Sequence, residues 1–204
     1  MDGATSQRLA GAALRAEAAR FRTDNPGVRA RDLAAALGVS EAELVASGCG
    51  NGVTRLDGDW GEMLRALYDL GEVMALTRNE HCVHEKHGVY DKVSIGPGHG
   101  LVLNHDIDLR LFLSHWRFAF AVSEEVKSGL RHSLQFFDID GTAVHKVYVT
   151  GKSDKAAYDA LVERFRAADQ SPELTVTPLP PRRPDRPDGD IDIGNFDQHW
   201  RAFQ

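Results

Sequence analysis

GEVMALTR (71–78), HCVHEKHGVYDKVSI (81–95), GLVLN (100–104), DLRLFLS (108–114), WRFAFAV (116–122), RHSLQFFDI (131–139) and AVHKVYVT (143–150) are short runs rich in β-branched and aromatic residues. Turn signals separate them at Gly96-Pro97-Gly98, Asn104-His105-Asp106, Lys127-Ser128-Gly129 and Asp138-Ile139-Asp140-Gly141. Strand follows strand with no helix between, which predicts a large antiparallel meander rather than a parallel sheet.

Helical patterns flank this region. The alanine-rich stretch SQRLAGAALRAEAARFR (6–22) predicts a helix that stops at Asn25-Pro26-Gly27. In VRARDLAAALGVSEAELVAS (28–47), Leu33, Ala36 and Leu37 pattern a second helix and Gly38 ends it; Ser40 with Glu43 predicts a capping box for a third. After the strands, 154–168 reads as a closing amphipathic helix, with Ser153 as its cap and Ala157, Leu161 and Phe165 on one stripe. The fold class is therefore α+β, with N-terminal helices, a large antiparallel sheet and a closing helix.

Six of the eight prolines (Pro172, Pro178, Pro180, Pro181, Pro184, Pro187) fall after residue 171. Each fixes φ and removes a backbone donor, so PLPPRRPDRPDGDID (178–192) predicts an exposed linker. In GNFDQHWRAFQ (194–204), Asn195 is the expected cap of a helix with Phe196, Trp200 and Phe203 on one face, an element expected to pack against something else. The expected organisation is an N-terminal helix (1–27), a main domain (28–170), a Pro-rich linker (171–194) and the start of a further helix (195–204).

The 204 residues are 42% hydrophobic and 26% charged, a globular composition. No apolar run approaches the ~18 residues of a membrane span. Asp2 and Glu17 stand where a signal peptide would need a basic and then an apolar stretch, so the chain is expected to be cytoplasmic, with no membrane partner. Cys49 and Cys82 form no CxxC pair and are expected as free thiols of a reducing compartment. A net charge of −6 argues against coating nucleic acid. The paired helices at 28–47 resemble a helix-turn-helix, yet residues 1–50 hold six Arg, six acids and no Lys, and the third helix begins with Glu41 and Glu43. Plain helix packing is expected, with DNA reading as the alternative.

Eight histidines lie in the β region: His81, His84, His87, His99, His105, His115, His132 and His145. In an extended HCVHEKH, His81 and His87 share a face but stand roughly 20 Å apart at ~3.3 Å per residue, so no metal site is assigned. Buried, hydrogen-bonded imidazoles on a polar sheet are expected instead. No P-loop, GxGxxG or Ser-His-Asp signature is present, and Asp106, Asp108, Asp138 and Asp140 read as turn residues.

In DLRLFLSHWRFAFAV, alternation places Leu109, Leu111 and Leu113 on one face and Arg110, Phe112 and Ser114 on the other, with the arginine and the phenylalanine about 7 Å apart. Trp116, Phe118 and Phe120 share a face of the next strand. Such a surface suits a flat anionic ligand, the ring on Phe and the guanidinium on a carboxylate. A core-facing leucine row beside an exposed arginine fits equally well, and spacing alone favours it.

The strings VMALTRNEHCVHEKHGVY, LVLNHDIDLRLFLSHW, SLQFFDIDGTAVHKVYV and ARDLAAALGVSEAELVAS, in this order, resemble the N-terminal half of the hemin-degrading factor family, the HemS and HmuS haemin transport proteins that carry the HemS/ChuX domain. The resemblance runs from about residue 28 to the end. It implies a cytoplasmic bacterial haem-handling protein of two similar halves, each an antiparallel sheet flanked by helices, that accepts haem and passes it on to a receiving protein or assists its breakdown. It also implies haem as the ligand, with Arg110 near the distal side of the iron and Phe112 against the porphyrin, which reverses the weight given to that strand. The family's proximal histidine belongs to the second half, and no histidine here matches it. Two arrangements follow: the chain is one half of a longer protein, or two copies associate as in the single-domain ChuX and HutX relatives. The functional expectation is haem binding and carriage in iron acquisition. The alternatives are a haem-degrading enzyme giving a linear tetrapyrrole and a DNA-binding regulator.

Overall fold

The computed structural model describes residues 9–79, 81–181, 184–185 and 187–203. Residues 1–8 of the expected first helix, Arg182, Arg183 and Arg186 of the expected linker, and Gln204 lie outside the described residues.

Antiparallel hairpins organise the molecule. β7 (Phe118–Val126), β8 (Gly129–Phe137) and β9 (Ala143–Ser153) form a meander, and β9 pairs back onto β2 (Gly71–Arg78). β3 (Val83–Gly88) and β1 (Val53–Leu56) close the two edges, giving the order β1-β7-β8-β9-β2-β3. The expected single meander is divided: β4 (Val93–Gly96), β5 (His99–Leu103) and β6 (Asp108–Leu111) form a separate three-stranded sheet. The break falls inside HCVHEKHGVYDKVSI. Lys92 turns left-handed at φ 53°, and Asn104 Nδ2 grips the Val89 carbonyl at 3.0 Å, so the chain leaves the large sheet there.

One face of the large sheet is covered by two helices and the small sheet, and the other is covered by a further helix over β1, β7 and the end of β8. Leu134, Phe136, Val147, Val73 and Ala75 meet Met63 and Leu64 of α4 (Trp60–Ala66), Tyr158 and Leu161 of α5 (Lys155–Arg164), and Val102, Leu109 and Leu111 of the small sheet. The opposite face presents Phe120, Val122 and Phe137 to Ala42 and Ala46 of α3 (Glu41–Ala46). α1 (Gly11–Asp24) and α2 (Ala30–Ala36) stack outside α3 through Leu14, Ala18, Leu33, Ala34 and Leu44. Residues 51–70, which carry no expectation above, form β1, α4 and a 3-10 turn at Leu67–Leu70.

The expected capping box is present: Ser40 Oγ accepts from Glu43 N at 3.2 Å, and Glu43 Oε2 accepts from Ser40 N at 2.8 Å. Gly141, at φ 81° in the β8–β9 turn, packs directly on Ser40, where a Cβ would collide with the serine side chain. None of α3's residues is exposed, so this helix has no free face to enter a DNA groove. The buried face of α2 is Leu33 with Ala34, and Ala36 is exposed. α5 is capped by Asp154 rather than Ser153 and ends at Arg164, because Ser153 is the last residue of β9 and donates to the Glu72 carbonyl. α6 (Ile193–Arg201) is likewise capped by Asp192, to which Asn195 N donates at 2.9 Å. Residues 170–177 are strapped to the body: Arg55 Nη2 donates to the Ser171 and Glu173 carbonyls, each at 2.7 Å, and Thr177 N to the Ile139 carbonyl at 2.9 Å. Among the described residues, no helix is long and apolar enough to cross a membrane.

His145 lies within this core, stacked beside Trp116 and Phe136 with ring centroids 6.0 and 6.3 Å away. Burial keeps the Tyr90 hydroxyl protonated, and it shares a 2.7 Å hydrogen bond with His145 Nε2, while Nδ1 finds no partner among the described residues. Burial pushes the imidazole pKa from 6.5 down to about 4. The unfolded chain therefore binds a proton that the folded chain refuses, and stability falls as pH drops from 6.5 towards 4, by about 3 kcal/mol in total. Urea midpoints measured between pH 7 and 4.5 should show this loss in the wild type and a flatter profile in His145→Gln. Equal slopes would assign the loss to other groups.

Candidate functional site

Alternation in β6 sends Leu109 and Leu111 into the core, 6% and 5% exposed, and leaves Asp108 and Arg110 outside. The strand stops at Leu111. Phe112 leads into a 3-10 turn, Leu113–His115, and stands 65% exposed, while Leu113 still packs on the core. The expected strand to Ser114 is therefore shorter, yet the leucine row faces inward and Arg110 and Phe112 face outward as the spacing implies.

Register adds neighbours that the strand alone did not reveal. Leu101 lies opposite Arg110 and Leu103 opposite Asp108, so the outer face of the small sheet carries an aliphatic pair beside the cation. The alternation of GLVLN is the signal that could have found them. His99 projects from the same face of β5, with Nδ1 3.2 Å from the Pro97 carbonyl oxygen. Arg110 Nη1 bonds Asp108 Oδ1 at 2.6 Å, and both side chains are mostly in solvent. Such pairs contribute at most about 1 kcal/mol, so the guanidinium is positioned without being committed to stability. A planar cation beside exposed Leu and Phe can hold a carboxylate while an apolar ring lies on the face.

The neighbouring aromatics are arranged differently from expectation. Trp116 precedes β7 instead of belonging to it and is buried against Phe136, centroids 4.2 Å apart, whereas Phe118 and Phe120 join the opposite core beneath α3. Alternation cannot be counted through the 3-10 turn, so Trp116 does not share their face. Among the described residues no three His, Cys, Asp or Glu groups converge on a metal position. His84 and His87 are exposed along β3, and His81 sits in a turn whose amides bond Asn79 Oδ1. His132 Nδ1 lies 2.7 Å from Ser123 Oγ, and His115 Nδ1 lies 3.2 Å from Asp138 Oδ2. Cys49 is buried and Cys82 exposed, both free.

Two antiparallel sheets sharing one core and flanked by helices define an α+β module whose small sheet carries Arg110 on its outer face. The chain belongs to the HemS/ChuX family: residues 38–165 match the haemin-degrading HemS.ChuX domain. It is 42% identical over 193 residues to hemin transport protein HmuS of Yersinia pestis, covering 94% of this chain and 55% of that protein. Holo-PhuS, a heme-binding protein from Pseudomonas aeruginosa, superposes with a TM-score of 0.88 at 46% identity, over 93% of this chain and 55% of that one. ChuS, a heme degrading enzyme of Escherichia coli O157:H7, gives 0.79 at 36% identity, over 93% and 54%. The chain thus spans about half the length of the relatives it matches, consistent with the expected N-terminal half.

If the face is built as described, Leu109→Ala should cost about 2–5 kcal/mol. Arg110→Ala should cost less than about 1 kcal/mol. Urea denaturation of the two variants checks this, and a costly Arg110→Ala would mean that the arginine serves the fold.

Proposed function

We propose that this chain binds haem against the Arg110/Phe112 face and serves haem carriage in the cytoplasm during bacterial iron acquisition. The observation that carries the proposal is the exposed pair itself: Arg110 stands out opposite Leu101 on a strand whose own leucines are buried, and Phe112 stands 65% exposed just past its end. Membership of a family whose relatives are named hemin transport and heme-binding proteins supports it. A porphyrin is flat and apolar with carboxylates at one edge; Phe112, Leu101 and Leu103 offer it an apolar platform, and Arg110 offers a charge. The guanidinium stays protonated and has no lone pair for iron, so Arg110 acts through hydrogen bonds. The organisation proposed with it is a haem-handling domain at 28–170 and a linker at 171–194. The opposite wall of the site comes from a further half-domain or a second copy, and a haem-receiving protein takes the cargo.

Titration with hemin should produce a Soret shift that saturates, with affinity falling about tenfold in Arg110→Ala, the scale of one charge-assisted hydrogen bond. Phe112→Ala should weaken binding in the same direction. An unshifted spectrum, or one indifferent to both substitutions, would remove the proposal. Mass measurement of the loaded protein separates one haem per chain from a haem-bridged pair. If a reductant bleaches the bound pigment and catalase does not prevent it, the degrading activity named for ChuS becomes the better description.

A further inference from the structure

We propose that the groove between the N-terminal helices and the far face of β7–β9 is a second ligand site, taking a flat, ring-bearing organic anion with an N–H donor. The proposal is independent of the haem face, because the groove opens on the side of the large sheet away from the small sheet that carries Arg110.

The groove exists because α3 covers only part of this sheet face. Phe120, Val122 and Phe137 are packed under Ala42 and Ala46, but farther across the sheet Gln135, Lys146, Tyr148 and Arg78 floor an opening of about 1100 Å³, at the upper end of small-molecule sites. The buried pair of Lys146 with Glu41 fixes the start of α3 over β9 and defines one wall.

Two polar atoms on the floor lack partners. Gln135 is only 5% exposed, and its amide nitrogen donates to Ser133 Oγ at 3.0 Å, yet Oε1 has no partner among the described residues. The same holds for Nε of Arg78. A buried acceptor and a buried donor left open are unfavourable, and a ligand bearing the complementary groups would satisfy them. Charge points the same way: the lining holds eight cationic and three acidic side chains in a chain of net charge −6. Arg131 is held by Glu124 at 2.8 Å and lies 5.1 Å over the Tyr148 ring, a ready stack for a further planar group.

The ligand this floor describes carries negative charge for the rim, a ring for Arg131 and Tyr148, an N–H for Gln135 Oε1 and an acceptor for Arg78 Nε. A guanine nucleotide carries that chemistry, with ring N–H and carbonyl groups on the edge of its base and negative charge on its phosphate. Guanosine 5′-monophosphate and, as the ring-free comparison, ribose 5-phosphate are titrated separately into the full chain by calorimetry. The nucleotide is expected to bind at micromolar concentration, weakened about tenfold by Arg78→Ala. The variants Arg22→Glu, on the exposed rim, and Gln135→Met, which removes the open oxygen together with the bond to Ser133, should each weaken it several-fold, with the folding of each variant checked by circular dichroism. Lys152→Ala, an exposed cation outside the groove, should not. Absence of nucleotide binding at millimolar concentration overturns the proposal. So does binding that survives Arg22→Glu and Gln135→Met in folded protein, or ribose 5-phosphate binding as tight as the nucleotide's.

Discussion

Trp116 enters where the chain passes from the small sheet to the large one, and its stack on Phe136, 4.2 Å between centroids, joins the two. Trp60 of α4 closes the same cluster edge-on to both rings, at 6.2 and 6.4 Å. Aromatic pairs add about 0.5–1.5 kcal/mol each beyond their buried area, but here the geometry matters more than the sum. With Trp116 anchored on β8, the four residues between it and the end of β6 are too few to let β6 roll about its axis. Leu109 and Leu111 are therefore held inward, and Arg110 and Phe112 are held out.

Partial cover of the large sheet's second face is the second constraint. A half-exposed sheet needs one apolar face; this one needs two in the β1–β7–β8 region and admits polar groups at the margin of α3, where Lys146 pairs with Glu41. That explains why β8 reads Leu134, Gln135, Phe136, Phe137 rather than as a clean alternation, and why Lys146 and Gln135 lie side by side in register. Both sit where the helical cover runs out.

Much of this was legible in sequence because it depends on local rules. β2 runs over 71–78 as expected, Gly38 adopts φ 68° after α2, and the Ser40/Glu43 box forms because cap chemistry needs only four consecutive residues. What sequence could not supply is whatever passes through a change of direction. The partition into two sheets depends on Asn104 reaching back to residue 89, and the placement of Trp116 depends on a 3-10 turn that resets the period of two. Arg110 faces outward because β6 is regular over Asp108–Leu111, and Phe112, just past its end, stands exposed. Leu101 and Leu103 were missed because pairing register is a property of two strands, not one.

Lys146 and Arg110 differ in what surrounds them, and the difference separates a charge committed to the fold from one that is not. Lys146 pairs with Glu41 with both side chains about nine-tenths buried, so removing either partner strands a charge in the core and the pair is bound to the fold. Arg110 pairs with Asp108 in solvent, where water already meets the needs of both groups and the contact contributes little. An arginine that the fold does not need, fixed beside an exposed phenylalanine by a strand that cannot rotate, has its orientation supplied by the scaffold before any ligand arrives. The entropy of ordering that side chain is then largely met in advance, and a carboxylate that replaces Asp108 as its partner gains the contact at small cost.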